Sequence, residues 1–127
     1  MDHGKEYWFS LALYDLETAH VMLTSGRLLY VGFMCHQAVE KLLKGIFVAK
    51  KCEQPPFTHN LMVLVQKAGI EAQLSEAQLD LFDTLDPLNI EARYPTYKDR
   101  LFKQLTQDFC KIILEKTQEV VICLRAM

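Results

Sequence analysis

Three ionisable side chains, His36, Glu40 and Lys44, recur every fourth residue inside the otherwise apolar run from Phe33 to Lys44. On a helix that spacing puts all three on one stripe. An imidazole exchanges a proton near neutrality, a carboxylate orients it, and an ammonium holds an anion, so the stripe has the parts for acid–base chemistry or for gripping a charged ligand. Leu29, Phe33 and Phe47 project onto the same stripe, so the helix must be covered nearly all round and Glu40 needs a partner. Asp15, projecting between Ala12 and Ala19 on the preceding helix, is a second acid expected to be at least partly buried. Asp15, Glu40, Lys41 and Lys44 are therefore expected to form a polar network, with Asp15 meeting Lys44 across two antiparallel helices. Such a network either fixes helix register or serves a site, and the sequence leaves both open. His36 is in the same position, a proton carrier or else a surface or satisfied core residue.

A second cluster lies between Arg93 and Arg100, where Tyr94, Tyr97 and Lys98 stand around Pro95. A guanidinium grips phosphate with a planar fork and a tyrosine ring stacks on a base, which makes Arg93, Tyr94, Tyr97, Lys98 and Arg100 candidate ligand contacts. The plainer alternative is a solvated loop leading into a helix. His59, directly after Thr58, sits near an expected helix N-terminus and suits a capping-region role. No ligand motif such as H-E-x-x-H is present, so His36, Glu40 and His59 are not expected to hold a metal, and no cofactor is implied.

The elements that must carry these residues are helices. Apolar residues recur at helical spacing from Lys5 to Ser25, with Gly26 as the stop. A second helix runs from about Leu28 to Lys50, and its terminal lysines suit the negative end of the dipole. Pro55-Pro56 make Cys52 to Phe57 a loop. Thr58 is expected to cap a short helix closed by Gly69, and Ser75 to Gln78 reads as a capping box for another, with Leu79, Phe82 and Leu85 inside and Pro87 ending or kinking it. Asn89 to Arg100 is expected to be an ordered loop, and about Asp99 to Arg125 a last long helix. The spacing thus predicts an all-α antiparallel bundle of three long and two short helices in one domain, residues 1–127.

Bulk properties narrow the function classes. The chain has 127 residues, half of them apolar and about a quarter charged, and a formal net charge of −2, so no general field draws it to nucleic acid or to an anionic membrane. The cysteines, Cys35, Cys52, Cys110 and Cys123, show no C-x-x-C spacing and fit a reduced compartment. With no apolar run near the ~20 residues of a membrane span and no basic-then-apolar leader, the expectation is a cytoplasmic protein with no membrane partner.

Four short patterns, in this order, resemble the HEPN family: Trp8, Ala12, Asp15, Leu16 and Ala19 in the first helix; Gln37-Ala38-Val39-Glu40-Lys41 with Lys44 in the second; Thr58-His59 with Leu61; and Ala92-Arg93-Tyr94-Pro95 before the last helix. The resemblance spans roughly Trp8 to Leu124. It implies a dimeric bundle of four to five helices, commonly encoded beside a small nucleotidyltransferase in toxin–antitoxin-like pairs. Many members are metal-independent ribonucleases that use an Arg followed four to six residues later by a His. Arg93 matches the Arg; Lys98, Asp99 and Arg100 stand where the His would fall, and no His follows His59. A lysine or arginine is a poor general base at neutral pH. In some family systems the partner enzyme modifies a tyrosine near that motif, and Tyr94 and Tyr97 stand near Arg93.

The combined expectation is a non-catalytic HEPN homodimer that binds a nucleotide or nucleic-acid phosphate and acts with a nucleotidyltransferase. Arg93, Tyr94, Tyr97, Lys98 and Arg100 would contact the ligand, with Glu40 and Lys44 as supporting residues. Two alternatives are a ribonuclease with a displaced site using Arg93 with His36 or His59, and a plain protein-interaction module.

Overall fold

The computed structural model describes residues 4–127, apart from the side chains of Pro95, Tyr97 and Lys98. Among the described residues there are six α-helices, one 3-10 turn and no strand: α1 (Lys5–Thr24), α2 (Leu29–Lys51), α3 (Leu61–Ala68), the 3-10 turn (Glu71–Gln73), α4 (Glu76–Glu91), α5 (Pro95–Gln104) and α6 (Gln107–Arg125). The all-helical expectation holds, while the division into three long and two short helices does not.

Helix α2 is the centre. It packs on α1, α3, α4, α5 and α6, and residues on every side of it are buried, including Val31, Cys35, His36, Val39, Glu40, Leu42, Leu43 and Ile46. The all-round apolar pattern that denied this helix a wet face is the physical reason. Gly45 lies against Trp8 and Phe9, and Lys41 against Asp15, so α1 and α2 run antiparallel. A Cβ at Gly45 would come within 3.0 Å of the Phe9 ring and of Trp8 Cβ. Along the other side Cys110 Sγ approaches the Leu28 carbonyl, and Thr117 lies beside Cys35 two turns further on, so α6 runs parallel to α2.

Two local expectations give way. Pro87, expected to end or kink its helix, does not end it; α4 continues four residues beyond it to Glu91. Proline removes one N–H and crowds the carbonyl four residues back, but Leu85, Leu88 and Asn89 on either side are buried while Pro87 itself is exposed. Burial of that face outweighs the lost bond. The segment expected to be a loop up to Arg100 contains α5, with Pro95 at its first turn, where the missing N–H is harmless. The last helix accordingly starts at Gln107, not near Asp99, and Thr106 caps it by accepting the Phe109 N–H.

The other caps match the sequence more closely. Ser75 and Gln78 form the capping box, and Gly69 closes α3 with φ +73°. The α3 cap is Asn60, whose side chain accepts the Val63 N–H; Thr58 instead accepts the Asn60 N–H. All four cysteines are free thiols. Burial pushes Cys35 up to about 12 and Cys110 up to about 11.

A Cβ at Gly32 would lie 2.5 Å from Leu88 Cδ1 and 3.1 Å from Leu88 Cβ. Alanine favours a helix by roughly 1 kcal/mol over glycine, but overpacking costs about 1–3 kcal/mol, so Gly32→Ala is expected to lower the urea midpoint. A raised midpoint would show that Leu88 gives way freely. For the thiols, the neutral form is favoured in the folded chain, so Cys35 and Cys110 hold their protons in the native protein at pH values where an unfolded thiol, of ordinary value 9.0, ionises. Stability is expected to fall as pH rises above that value toward 11 and 12. Mild alkylation is expected to label exposed Cys52 and spare Cys35 and Cys110 until denaturant is added, which peptide mass mapping reads directly.

Candidate functional site

The α2 stripe finds its partners on elements distant in sequence. His36 is fully buried, with Nε2 2.9 Å from Asp86 Oδ1 on α4. A carboxylate only accepts, so the proton of this bond belongs to Nε2. His36 Nδ1 stands 3.8 Å from Glu40 Oε1 and has no hydrogen-bond partner. Asp86 Oδ1 also accepts the Leu61 N–H at 3.3 Å, at the start of α3. One carboxylate thus fastens α4 to both the central helix and the positive end of α3.

Glu40 is buried and fully engaged. Oε2 accepts from Lys44 Nζ at 3.0 Å, and Oε1 accepts from His59 Nδ1 at 2.9 Å. The imidazole that Glu40 orients is itself 61% exposed. With Nδ1–H committed to Glu40, the other nitrogen of His59 carries the lone pair in the neutral ring, which is the arrangement of an oriented proton acceptor. Asp15 is buried as expected, but it pairs with Lys41 and not with Lys44. The expected four-residue network is therefore two pairs, Asp15 with Lys41 and Glu40 with Lys44. Lys41 meets α1 at the height of Asp15, while Lys44, one turn further along α2, stands beside Trp8.

Beside His59 lies a cleft of ≈ 300 Å³ lined by His59, Asn60, Asp86, Asn89, Ile90, Arg93 and Tyr94. Arg93 is held in place from two sides: its guanidinium lies over the Phe33 ring, 5.3 Å from the centroid, and Nη2 donates to Asn89 Oδ1 at 3.5 Å. Asn89, itself buried, also accepts from Gln37 Nε2 at 3.0 Å. A guanidinium has five N–H donors, so the contact with Asn89 leaves most of the fork for an anion. The cleft therefore joins an oriented imidazole to a braced guanidinium. It suits a phosphate, and in principle proton transfer beside it.

Of the residues expected from sequence, Arg93, Tyr94 and His59 line this cleft, and Glu40 and Lys44 stand behind it. Arg100 pairs with Glu91 at 2.7 Å and is not part of the lining. The candidates Tyr97 and Lys98 fall outside the described residues. His36 is enclosed and braces α4. Among the described residues no group of three His, Cys, Asp or Glu side chains is placed to hold a metal ion. Asn60, Asp86 and Asn89 were not singled out from the sequence. Asp86 and Asn89, at i and i+3, share one face of α4, and Arg93 stands two residues beyond the helix end; the expected break at Pro87 hides that Asp86 and Asn89 lie together.

An all-α fold built on one helix covered on nearly every side, with a cleft formed by the α3 start and the α4 end, defines the class. The HEPN domain model matches residues 5–126, and the chain belongs to the HEPN domain family. The fold is similar to the crystal structure of TT1696 from Thermus thermophilus, with a TM-score of 0.81 and 21% identity over 96% of each chain. No functionally curated protein matches the chain.

Glu40→Ala is expected to destabilise the fold by about 3 kcal/mol, because it leaves the nearly buried Lys44 ammonium without its anion and His59 without its acceptor. Glu40→Gln, which keeps an acceptor oxygen, should cost less in a thermal or urea melt. Equal melts for both variants and wild type would show that the pair contributes nothing to stability.

Proposed function

We propose that the cleft at His59 and Arg93 binds the phosphate of a nucleotide or nucleic acid, and that the protein is a homodimeric partner of a nucleotidyltransferase in a toxin–antitoxin-like pair. The observation that carries this reading is the bracing of Arg93 by Phe33 and Asn89 next to the Glu40-oriented His59, all at one cleft. Both groups are donors when His59 is protonated, and a preorganised guanidinium loses little freedom on gripping an anion. Tyr94, exposed on the cleft wall, offers a ring to a base. Exposed Ile90, Tyr94 and Phe102 put apolar surface around the α4 end and α5, which supports pairing of two subunits there. Free thiols at all four cysteines support a reducing, cytoplasmic setting, and among the described residues no helix is long and apolar enough to cross a membrane.

One observation favours a second reading. The Glu40–His59 pair supplies an oriented proton acceptor that the stretch after Arg93 lacks, so a ribonuclease with a displaced site would use His59 with Arg93. His36 is too enclosed for that role.

Calorimetric titration of ATP and of a short RNA separates these readings from an interaction module. Arg93→Ala is expected to weaken binding by about tenfold or more, the usual worth of a charge-assisted hydrogen bond. Negligible affinity of wild type for both ligands removes the ligand role. Incubation with cellular RNA in chelator, repeated with His59→Ala, decides between binding and cleavage: intact RNA at high protein concentration excludes the ribonuclease.

A further inference from the structure

The cleft at Arg93 also holds a carboxylate, and a bare phosphate gives that carboxylate nothing to do. Asp86 Oδ1 is spent inside the protein, accepting from His36 Nε2 at 2.9 Å and from the Leu61 N–H at 3.3 Å. Asp86 Oδ2 accepts from no group among the described residues, yet it is not one of the enclosed polar atoms that lack a partner, and the side chain is 20% exposed. It therefore meets solvent, on a residue that lines the cleft. An ionised carboxylate oxygen only accepts, so it repels a second anion and takes a donor.

Arg93 and Asp86 together select a ligand that carries an anion and, close to it, a neutral donor. The helix sets how close. Arg93 Nη2 is anchored on Asn89 Oδ1, and Asn89 follows Asp86 by one turn of α4, a rise of about 5 Å. In a nucleotide the donor nearest a 3′-phosphate is the 2′-hydroxyl on the adjoining carbon of the sugar. The amino groups of the bases lie a further ring away.

We infer that the cleft takes a ribonucleotide in preference to a deoxyribonucleotide, with Asp86 Oδ2 accepting the 2′-hydroxyl beside the phosphate that Arg93 grips. The inference rests on the phosphate reading above and adds Asp86 as the residue that determines the sugar. His36 and the start of α3 hold Asp86 through its other oxygen, so the acceptor is oriented before the ligand arrives.

Chemical-shift titration of the full protein with adenosine 3′-monophosphate and with its 2′-deoxy and 2′-fluoro counterparts tests this, since fluorine fills the place of the hydroxyl but cannot donate. The ribose form is expected to bind about tenfold more tightly than either, the usual worth of a hydrogen bond to a charged acceptor. Inosine 3′-monophosphate, which lacks the amino group of the base, should match the adenosine form. Asp86→Asn keeps an oxygen for His36 and Leu61 and removes the charge. Because that change favours any phosphate, the quantity to read is the ribose-to-deoxyribose ratio, which should fall to about threefold or less. The wild-type series needs no variant and decides alone if Asp86→Asn fails to fold. Equal affinity for the three sugars overturns the inference and leaves the phosphate reading standing, as does a ratio unmoved by Asp86→Asn or a preference set by the base amino group. No saturable shift with the ribose or the deoxyribose form at millimolar concentration removes the phosphate reading itself, and this inference with it.

Discussion

A carboxylate buried on the central helix cannot be left alone, and much of this structure follows from how Glu40 is satisfied. Its two oxygens are taken by Lys44 from its own helix and by His59 from the segment ahead of α3. The first contact keeps an ammonium close to the core, and the second fixes where the α2–α3 connection returns to the bundle. One turn earlier His36 does the same for α4 through Asp86, and Asp86 in turn takes the first N–H of α3. Two polar residues on one stripe thereby set the positions of the two elements that form the cleft. Ionic contacts of this kind contribute little net stability against an apolar alternative, but they penalise every arrangement in which a partner is missing. Their effect here is on register and placement.

The same logic extends to the arginine. Gln37 lies next to His36 on α2 and donates to Asn89, which also accepts from Arg93, while Phe33 one turn away supports the guanidinium face. Successive residues of α2 thus brace both walls of the cleft. A guanidinium held by a ring and an amide is already oriented before any anion arrives, and His59 is oriented in the same way by Glu40. This preorganisation is what distinguishes the pair from the other basic residues of the region, such as Arg100, whose charge is met by Glu91.

Much of the architecture was legible in the sequence. Helical periodicity gave α1, α2 and the greater part of α6, and the glycine and capping-box signals located the C-terminal end of α3 and the start of α4. The errors cluster where tertiary burial overrides a local rule. Pro87 is a strong local stop, yet Leu85, Leu88 and Asn89 find core partners on both sides of it, and a helix four residues longer carries Asn89 to its cleft position. Among its described side chains, segment 95–105 has only Leu101 and Leu105 to offer the core, too few for periodicity to reveal, and its proline sits in the first turn, where it does no harm.

By itself the sequence determined that α2 would be covered nearly all round, that His36 and Glu40 would share one stripe, and that Glu40 would require a partner. These follow from the 3.6-residue repeat and from the cost of burying charge, which are local and general. Only the tertiary structure decided who the partners are. Lys41 rather than Lys44 takes Asp15, His59 takes Glu40 from 19 residues away, and Asp86 takes His36 from 50. Periodicity tells which way a side chain points from its own helix. What stands opposite depends on how distant segments cross, and that is fixed by packing of the whole chain.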